Sequence, residues 1–232
     1  MDHFSLDPWG GTAMIHTAEN VASLAGVTRE ACDQVALRRY EQYTDALADD
    51  RAFQKRYLFP VEVKLSKKKT LTVEADEAVT PSTADGLAKL RPVMPGGVHT
   101  FGAQTHPADG NSSMIVTTQE KAKELSADPS MPIQVIAYGF ARERKGYMAA
   151  APVPATKMAL ENAGLSIGDM KVIKSHNPFI VNDINFAKQF NIDVNDMNNY
   201  GCSMIYGHPQ GSTATRLIIE GIEETVMKGG GY

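Results

Sequence analysis

Asn198-Asn199-Tyr200-Gly201-Cys202-Ser203-Met204-Ile205-Tyr206-Gly207-His208-Pro209-Gln210-Gly211-Ser212-Thr213 is the stretch on which the reading of this chain turns. A histidine stands between two glycines, and an apolar helix pattern follows at once. Ala214, Leu217, Ile218, Gly221, Ile222 and Val226 recur at the spacing of one helix face. Ser212 or Thr213 is placed to cap that helix, which puts His208 just ahead of its positive end. A positive dipole disfavours imidazolium, so the placement suits a neutral imidazole or a bound anion. Gly201, Gly207 and Gly211 allow the backbone to pass close to a ligand. A second reading needs no ligand at all: a tight turn entering a buried helix.

Working outward, the whole chain has 232 residues, 43% of them apolar, enough for one large domain or two small ones. A net charge of −4 argues against a nucleic-acid partner, which would need a basic face. The two cysteines, Cys32 and Cys202, are far apart and make no metal or redox spacing, as expected in a reducing compartment. Met1-Asp2-His3-Phe4 shows no basic region leading into an apolar run, so no signal peptide is expected. No stretch approaches the roughly 18 apolar residues of a membrane span. The expectation is a cytoplasmic chain that binds neither membrane nor nucleic acid.

Helix signals run from Thr17 to a stop at Gly26, and Thr28 caps a longer helix with Ala31, Val35, Tyr43 and Leu47 near helical spacing. Residues 58–65 and 70–74 alternate like two short strands, with Lys67-Lys68-Lys69 as a solvated turn or a phosphate contact. From residue 109 strands and helices alternate. Ser112–Thr117, Ile133–Ala141 and Lys171–Ser175 read as strands. Gln119–Leu125, Pro154–Ala163 and Phe179–Phe190 read as helices. Such alternation implies a mixed or parallel sheet with covered faces.

Gly207-His208-Pro209-Gln210-Gly211, with its upstream Asn and Gly and its downstream helix, resembles the histidine motif of the thiolases. Those enzymes make or break acetoacyl-CoA chains through a cysteine thioester. The resemblance runs in order from about residue 12 to residue 232. Thr17-Ala18-Glu19-Asn20-Val21-Ala22 and Leu87-Ala88-Lys89-Leu90-Arg91-Pro92 are similar to the loop domain that covers coenzyme A, and Ala151-Pro152-Val153-Pro154-Ala155 looks like a later segment. The implied fold is α/β: a partial thiolase fold, a mixed sheet with helices on both faces, carrying an inserted α+β loop domain. Residues 1–108 would be the loop domain and residues 109–232 an incomplete C-terminal domain.

The resemblance also implies roles. His208 would activate the nucleophilic cysteine and help hold the thioester oxygen. His176-Asn177-Pro178-Phe179 stands where the family has Asn-Glu-Ala-Phe, so His176 would hold the oxyanion-hole water, with Asn177 beside it. A capping His-Asn pair is the alternative for that motif. Arg91 would touch the nucleotide end of coenzyme A, while Thr105, Met14 and Phe179 would lie along the rest of it. Without the family, Arg91 is a surface arginine. Ala13-Met14 replaces the family's His-Met. Asn198, Asn199 and Gly207 would support the turn or the water, or serve ordinary turn chemistry. His106 has no family counterpart and reads as mainly structural.

Cys32 and Cys202 both fall where the family has no catalytic thiol, and both read as packing, Cys202 on a presumed strand. A histidine base without a thiol cannot form the thioester. The expectation is therefore a thiolase-type acyltransferase subunit whose nucleophilic cysteine comes from a second polypeptide. Acyl-CoA would be its substrate, no separate cofactor would be needed, and such complexes would form dimers or tetramers. A non-catalytic acyl-CoA-binding or structural subunit is the alternative.

Overall fold

The computed structural model describes residues 6–232. Helix α1, Met14–Ala25, stops at Gly26, whose left-handed φ of 60° lets its N–H bond back to the Ala22 and Ser23 carbonyls. Helix α2, Arg29–Ala46, begins where the sequence placed it, with the Thr28 hydroxyl accepting from the Ala31 N–H. Its buried stripe contains Cys32, Val35, Ala36, Tyr43 and Ala46, but also Arg39 and Gln42. Leu47, expected on that stripe, is exposed.

Strands β1, Val61–Ser66, and β2, Lys69–Val73, pair antiparallel from Val61 opposite Val73 to Ser66 opposite Lys69, with Lys67 and Lys68 in an exposed turn. Both strands sit close to their expected places. Besides short turns such as the one at Ala48–Arg51, the further helices are α3 (Ala84–Ala88), α4 (Gln119–Leu125), α5 (Pro152–Ala163), α6 (Val181–Phe190), α7 (Ser203–Tyr206) and α8 (Thr213–Met227).

Among the described residues the β1–β2 hairpin is the one sheet, so the expected strands at 112–117, 133–141 and 171–175 are not formed. Alternation of side chains signals a pleated, half-buried segment, but a strand exists only when a neighbour takes up its N–H and C=O groups. Residues 171–175 find only scattered backbone partners, the Lys171 and Val172 N–H groups donating to the Tyr232 carbonyl (2.7 and 3.3 Å) and the Asn198 N–H to Ile173 (2.9 Å), and none of the three segments has a strand beside it to complete a ladder. Residues 133–141 lie against α5, where a Cβ on Gly139 would come 2.7 Å from the Ala159 nitrogen. Their outer side chains stay in solvent: Val135, Tyr138 and Phe140 are more than 70% exposed. Cys202 likewise is not on a strand; it precedes the short helix α7.

The main core packs Ala18 and Val21 of α1, Val35 and Tyr43 of α2, Ile180 and Ile184 around the head of α6, and Leu217 of α8. A smaller cluster joins Val153 of α5 to Phe186, Ala187 and Met197. Helix α8 is turned in an unexpected way. Its buried positions are Thr213, Leu217, Glu220 and Glu224, whereas Ala214 and Ile218 of the apolar pattern are exposed. Glu220 is fully buried because Lys174 (3.2 Å), Arg216 (2.9 Å) and the Tyr57 hydroxyl (2.7 Å) surround it. The stripe of Ala214, Ile218, Gly221 and Ile222 instead lines a cavity of about 480 Å³.

Candidate active site

The loop 103–108 draws the two histidine segments together. The Thr105 N–H donates to the Pro178 carbonyl (2.8 Å), and the Ile180 N–H donates to Ala103 (2.9 Å). On the other side the His208 N–H donates to the His106 carbonyl (2.8 Å). The Thr105 hydroxyl donates to the Ser203 carbonyl (2.6 Å), which ties in α7. One loop thus bonds to two segments that each lie more than 70 positions further along the chain. At Gly207, φ is 92° and a Cβ would come 2.6 Å from the Ala108 Cβ and 3.0 Å from His106 Nε2, so only glycine fits.

The result is a pair of imidazoles. The His176 and His208 rings lie 4.2 Å apart between centroids, tilted by 31°. His208 Nδ1 contacts Thr213 Oγ1 at 2.7 Å, and His176 Nδ1 contacts Ser203 Oγ at 2.8 Å. Thr213 therefore orients the histidine where the sequence had suggested that Thr213 or Ser212 caps α8; neither side chain makes a capping bond. Burial pushes the His208 imidazole below the ordinary histidine range. Burial, and then repulsion from His208, push His176 down to about 4, against a smaller opposing pull from Asp183. Both shifts favour the neutral ring. Each imidazole keeps one nitrogen free to accept or donate at the centre of the site.

A buried ionic network supports the His176 side. Arg39 and Asp183 are both fully buried and meet at 2.8 Å. Asp183 also accepts from Asn177 Nδ2 (2.7 Å), Asn198 Nδ2 (3.1 Å) and the Ser175 hydroxyl (2.6 Å). Arg39 spends its other donors on Gln42 Oε1 and the Val194 carbonyl, each at 2.8 Å. Asn177 therefore turns its amide into this network and not towards the two rings. Asn198 holds the segment before His176 through Ser175, with its own backbone at a φ of 59°. Asn199 lies further off, accepting from Gln42 Nε2 and donating to Glu224 Oε1, each at 2.9 Å.

The remaining expected residues spread outward. Thr105 sits in the bridging loop. Phe179 is buried, edge-on to His99 at 5.8 Å, and Met14 is half-buried at the start of α1. Arg91 is exposed. Cys202 is fully buried behind the site, bonded by Asn177 Nδ2 at 3.2 Å, and burial raises its thiol pKa. Cys32 is buried in the main core and pushed up to about 12 by the same cause. Neither is a poised thiolate. Arg39, Asp183, Ser175 and Ser203 escaped the sequence reading. A buried Arg on an otherwise amphipathic helix has no local signature, since its partner stands 144 residues away. Among the described residues, no group of three His, Cys, Asp or Glu side chains could hold a metal ion, and no helix is long and apolar enough to cross a membrane.

Known proteins resemble this chain along most of its length. Residues 5–120 match the family model described as the thiolase N-terminal domain, and residues 131–232 match the thiolase C-terminal domain. A 3-ketoacyl-CoA thiolase of Vibrio vulnificus is 35% identical over 208 residues, which are 87% of this chain and 52% of that protein. The acetyl-CoA acetyltransferase structure of Bacillus anthracis superposes with a TM-score of 0.88 at 27% identity, over 97% of this chain and 57% of that one. Human mitochondrial 3-ketoacyl-CoA thiolase in complex with CoA gives 0.80 at 25% identity, over 97% and 55%. These matches place the α/β chain among thiolase-type proteins. The chain belongs to the thiolase family, and it spans about half the length of the curated relatives it matches.

Proposed function

We propose that this chain takes part in acyl transfer between coenzyme A thioesters, with the nucleophilic cysteine brought by another polypeptide. His208 takes the thiol proton as the sulfur attacks the thioester carbonyl carbon. The acyl group is then bound to the cysteine, and the departing coenzyme A sulfur takes up a proton. Attack of a second acyl-CoA carbanion gives condensation; the reverse course cleaves a 3-oxoacyl-CoA. His176 holds the water that, together with His208, faces the thioester oxygen as charge develops. Thr105, Met14 and Phe179 line the pantetheine path, and Arg91 receives the nucleotide end. No separate cofactor is required, and the complexes assemble as dimers or tetramers in the cytoplasm.

The observation that carries this reading is the pair of imidazoles 4.2 Å apart, while both cysteines of this chain are buried. The test uses the assembly that co-purifies with the chain. His208→Ala should lower turnover by roughly 10²–10⁴-fold while leaving assembly intact. An iodoacetamide-type reagent should label a thiol of the partner fastest. Turnover within a few-fold of wild type would favour a non-catalytic acyl-CoA-binding subunit, and fast labelling of Cys202 would end the partner-thiol idea.

A further inference from the structure

Ser203 makes three polar contacts through one hydroxyl. Its Oγ lies 2.8 Å from His176 Nδ1, 3.2 Å from Asn177 Oδ1, and 3.3 Å from the Asn177 N–H, which donates to it. The Asn177 amide cannot be flipped: Nδ2 donates to the Asp183 carboxylate at 2.7 Å, and Oδ1 accepts the Met204 N–H at 3.1 Å. The hydroxyl has one proton to give. Given to Asn177 Oδ1, it leaves Oγ free to accept from the Asn177 N–H and from a proton on His176 Nδ1, and all three contacts are satisfied. Given to His176 Nδ1, it leaves two bare oxygens facing each other at 3.2 Å. Ser203 and Asn177 are both fully buried, so no water can relieve that contact. The Thr105 hydroxyl, donating to the Ser203 carbonyl, keeps the serine in place.

We propose that Ser203 is a positioning residue that fixes His176 as the Nδ1–H tautomer, leaving Nε2 as a hydrogen-bond acceptor facing the site. A neutral imidazole carries one N–H. His176 therefore does not itself donate to the substrate oxygen. A water bound there gives one proton to His176 Nε2 and points the other at the oxygen, which makes the water the donor. His208, held through Thr213 and not through Ser203, is left out of this control. Only the role of the water rests on the acyl-transfer reading; the tautomer does not.

The experiment is long-range ¹H–¹⁵N NMR of the histidine side chains in the assembled protein near neutral pH. Wild type should show His176 protonated on Nδ1 and bare on Nε2. Ser203→Ala should shift the proton towards Nε2, and Ser203→Thr, which keeps the hydroxyl, should restore the wild-type pattern. In turnover assays Ser203→Ala should lower kcat with KM unchanged, again with rescue by threonine. A wild-type spectrum showing the Nε2–H tautomer overturns the proposal even if no variant folds. A Ser203→Ala spectrum identical to wild type overturns it equally. An inactive wild-type assembly with the Nδ1–H pattern would defeat the acyl-transfer reading and leave the tautomer assignment standing.

Discussion

The face of the molecule built by α2 and α6 and the face built by α8 with residues 133–141 solve burial in opposite ways. Between α2 and α6 every charge is enclosed and answered: Arg39 and Asp183 have no exposed side-chain surface, and each makes several hydrogen bonds. On α8 Glu220 and Glu224 are enclosed beside Leu217, while Ala214 and Ile218 of the apolar stripe face outward, Ile218 being 49% exposed. Val135 is 72% exposed nearby, although a buried valine or isoleucine gains about 1.5–3 kcal/mol over an exposed one. The first face is complete in itself. The second leaves large apolar side chains in solvent, and it is the face on which the proposed partner polypeptide would be expected to rest.

The largest effect should come from the closed face. Asp183→Ala strips Arg39 of its carboxylate and leaves Asn177, Asn198 and Ser175 without their acceptor. Breaking a fully buried pair from one side costs about 3–5 kcal/mol, read as a shifted midpoint in denaturant unfolding. A loss below about 1 kcal/mol would mean the face is wetter than its burial implies. His176 should fail in the same variant, because its neighbours Ser175 and Asn177 are held by Asp183.

A pH titration gives a smaller, signed effect. The folded-state pKa of His176 is depressed to about 4. The stability this neutral group permits is fully present above the unfolded-state value near 6.5 and is lost as pH falls from there towards 4. The unfolded chain binds more protons across that window. Unfolding midpoints should therefore decline on acidification through it, and His176→Gln should flatten the decline. A slope unchanged by that substitution would assign the acid sensitivity elsewhere.

The smallest effect should come from the open face. Ile218→Ser changes an exposed side chain, so the unfolding free energy of the chain alone should move by less than about 0.5 kcal/mol. Retention of the co-purifying partner should nevertheless weaken. A large loss of stability without loss of association would show that the α8 stripe is already covered, and the contrast between the two faces would dissolve.

Helix boundaries set by local chemistry were legible in the sequence. Thr28 and Gly26 bracket helices because a capping hydroxyl and a left-handed glycine act within four residues. The hairpin around Lys67 and Lys68 was legible for the same reason, and Gly207-His208-Pro209 pointed to one member of the histidine pair. The motif at His176 pointed to the other.

What the sequence determined by itself is therefore local: the Thr28 cap, the Gly26 stop, the Lys67-Lys68 turn and the two histidines that resemble a known site. Tertiary structure alone decided which partner each polar group found. Residues 112–117, 133–141 and 171–175 alternate like strands, but a ladder needs a neighbour that no alternation can supply. The apolar stripe of α8 predicted an inward face, yet of its members Leu217 alone is buried, and Lys174 and Arg216 met Glu220 and drew that charge inward. Arg39 entered the core because Asp183 was there to receive it. A buried charge is tolerated only beside its counter-charge, and when that partner lies far along the chain, only the folded arrangement reveals it.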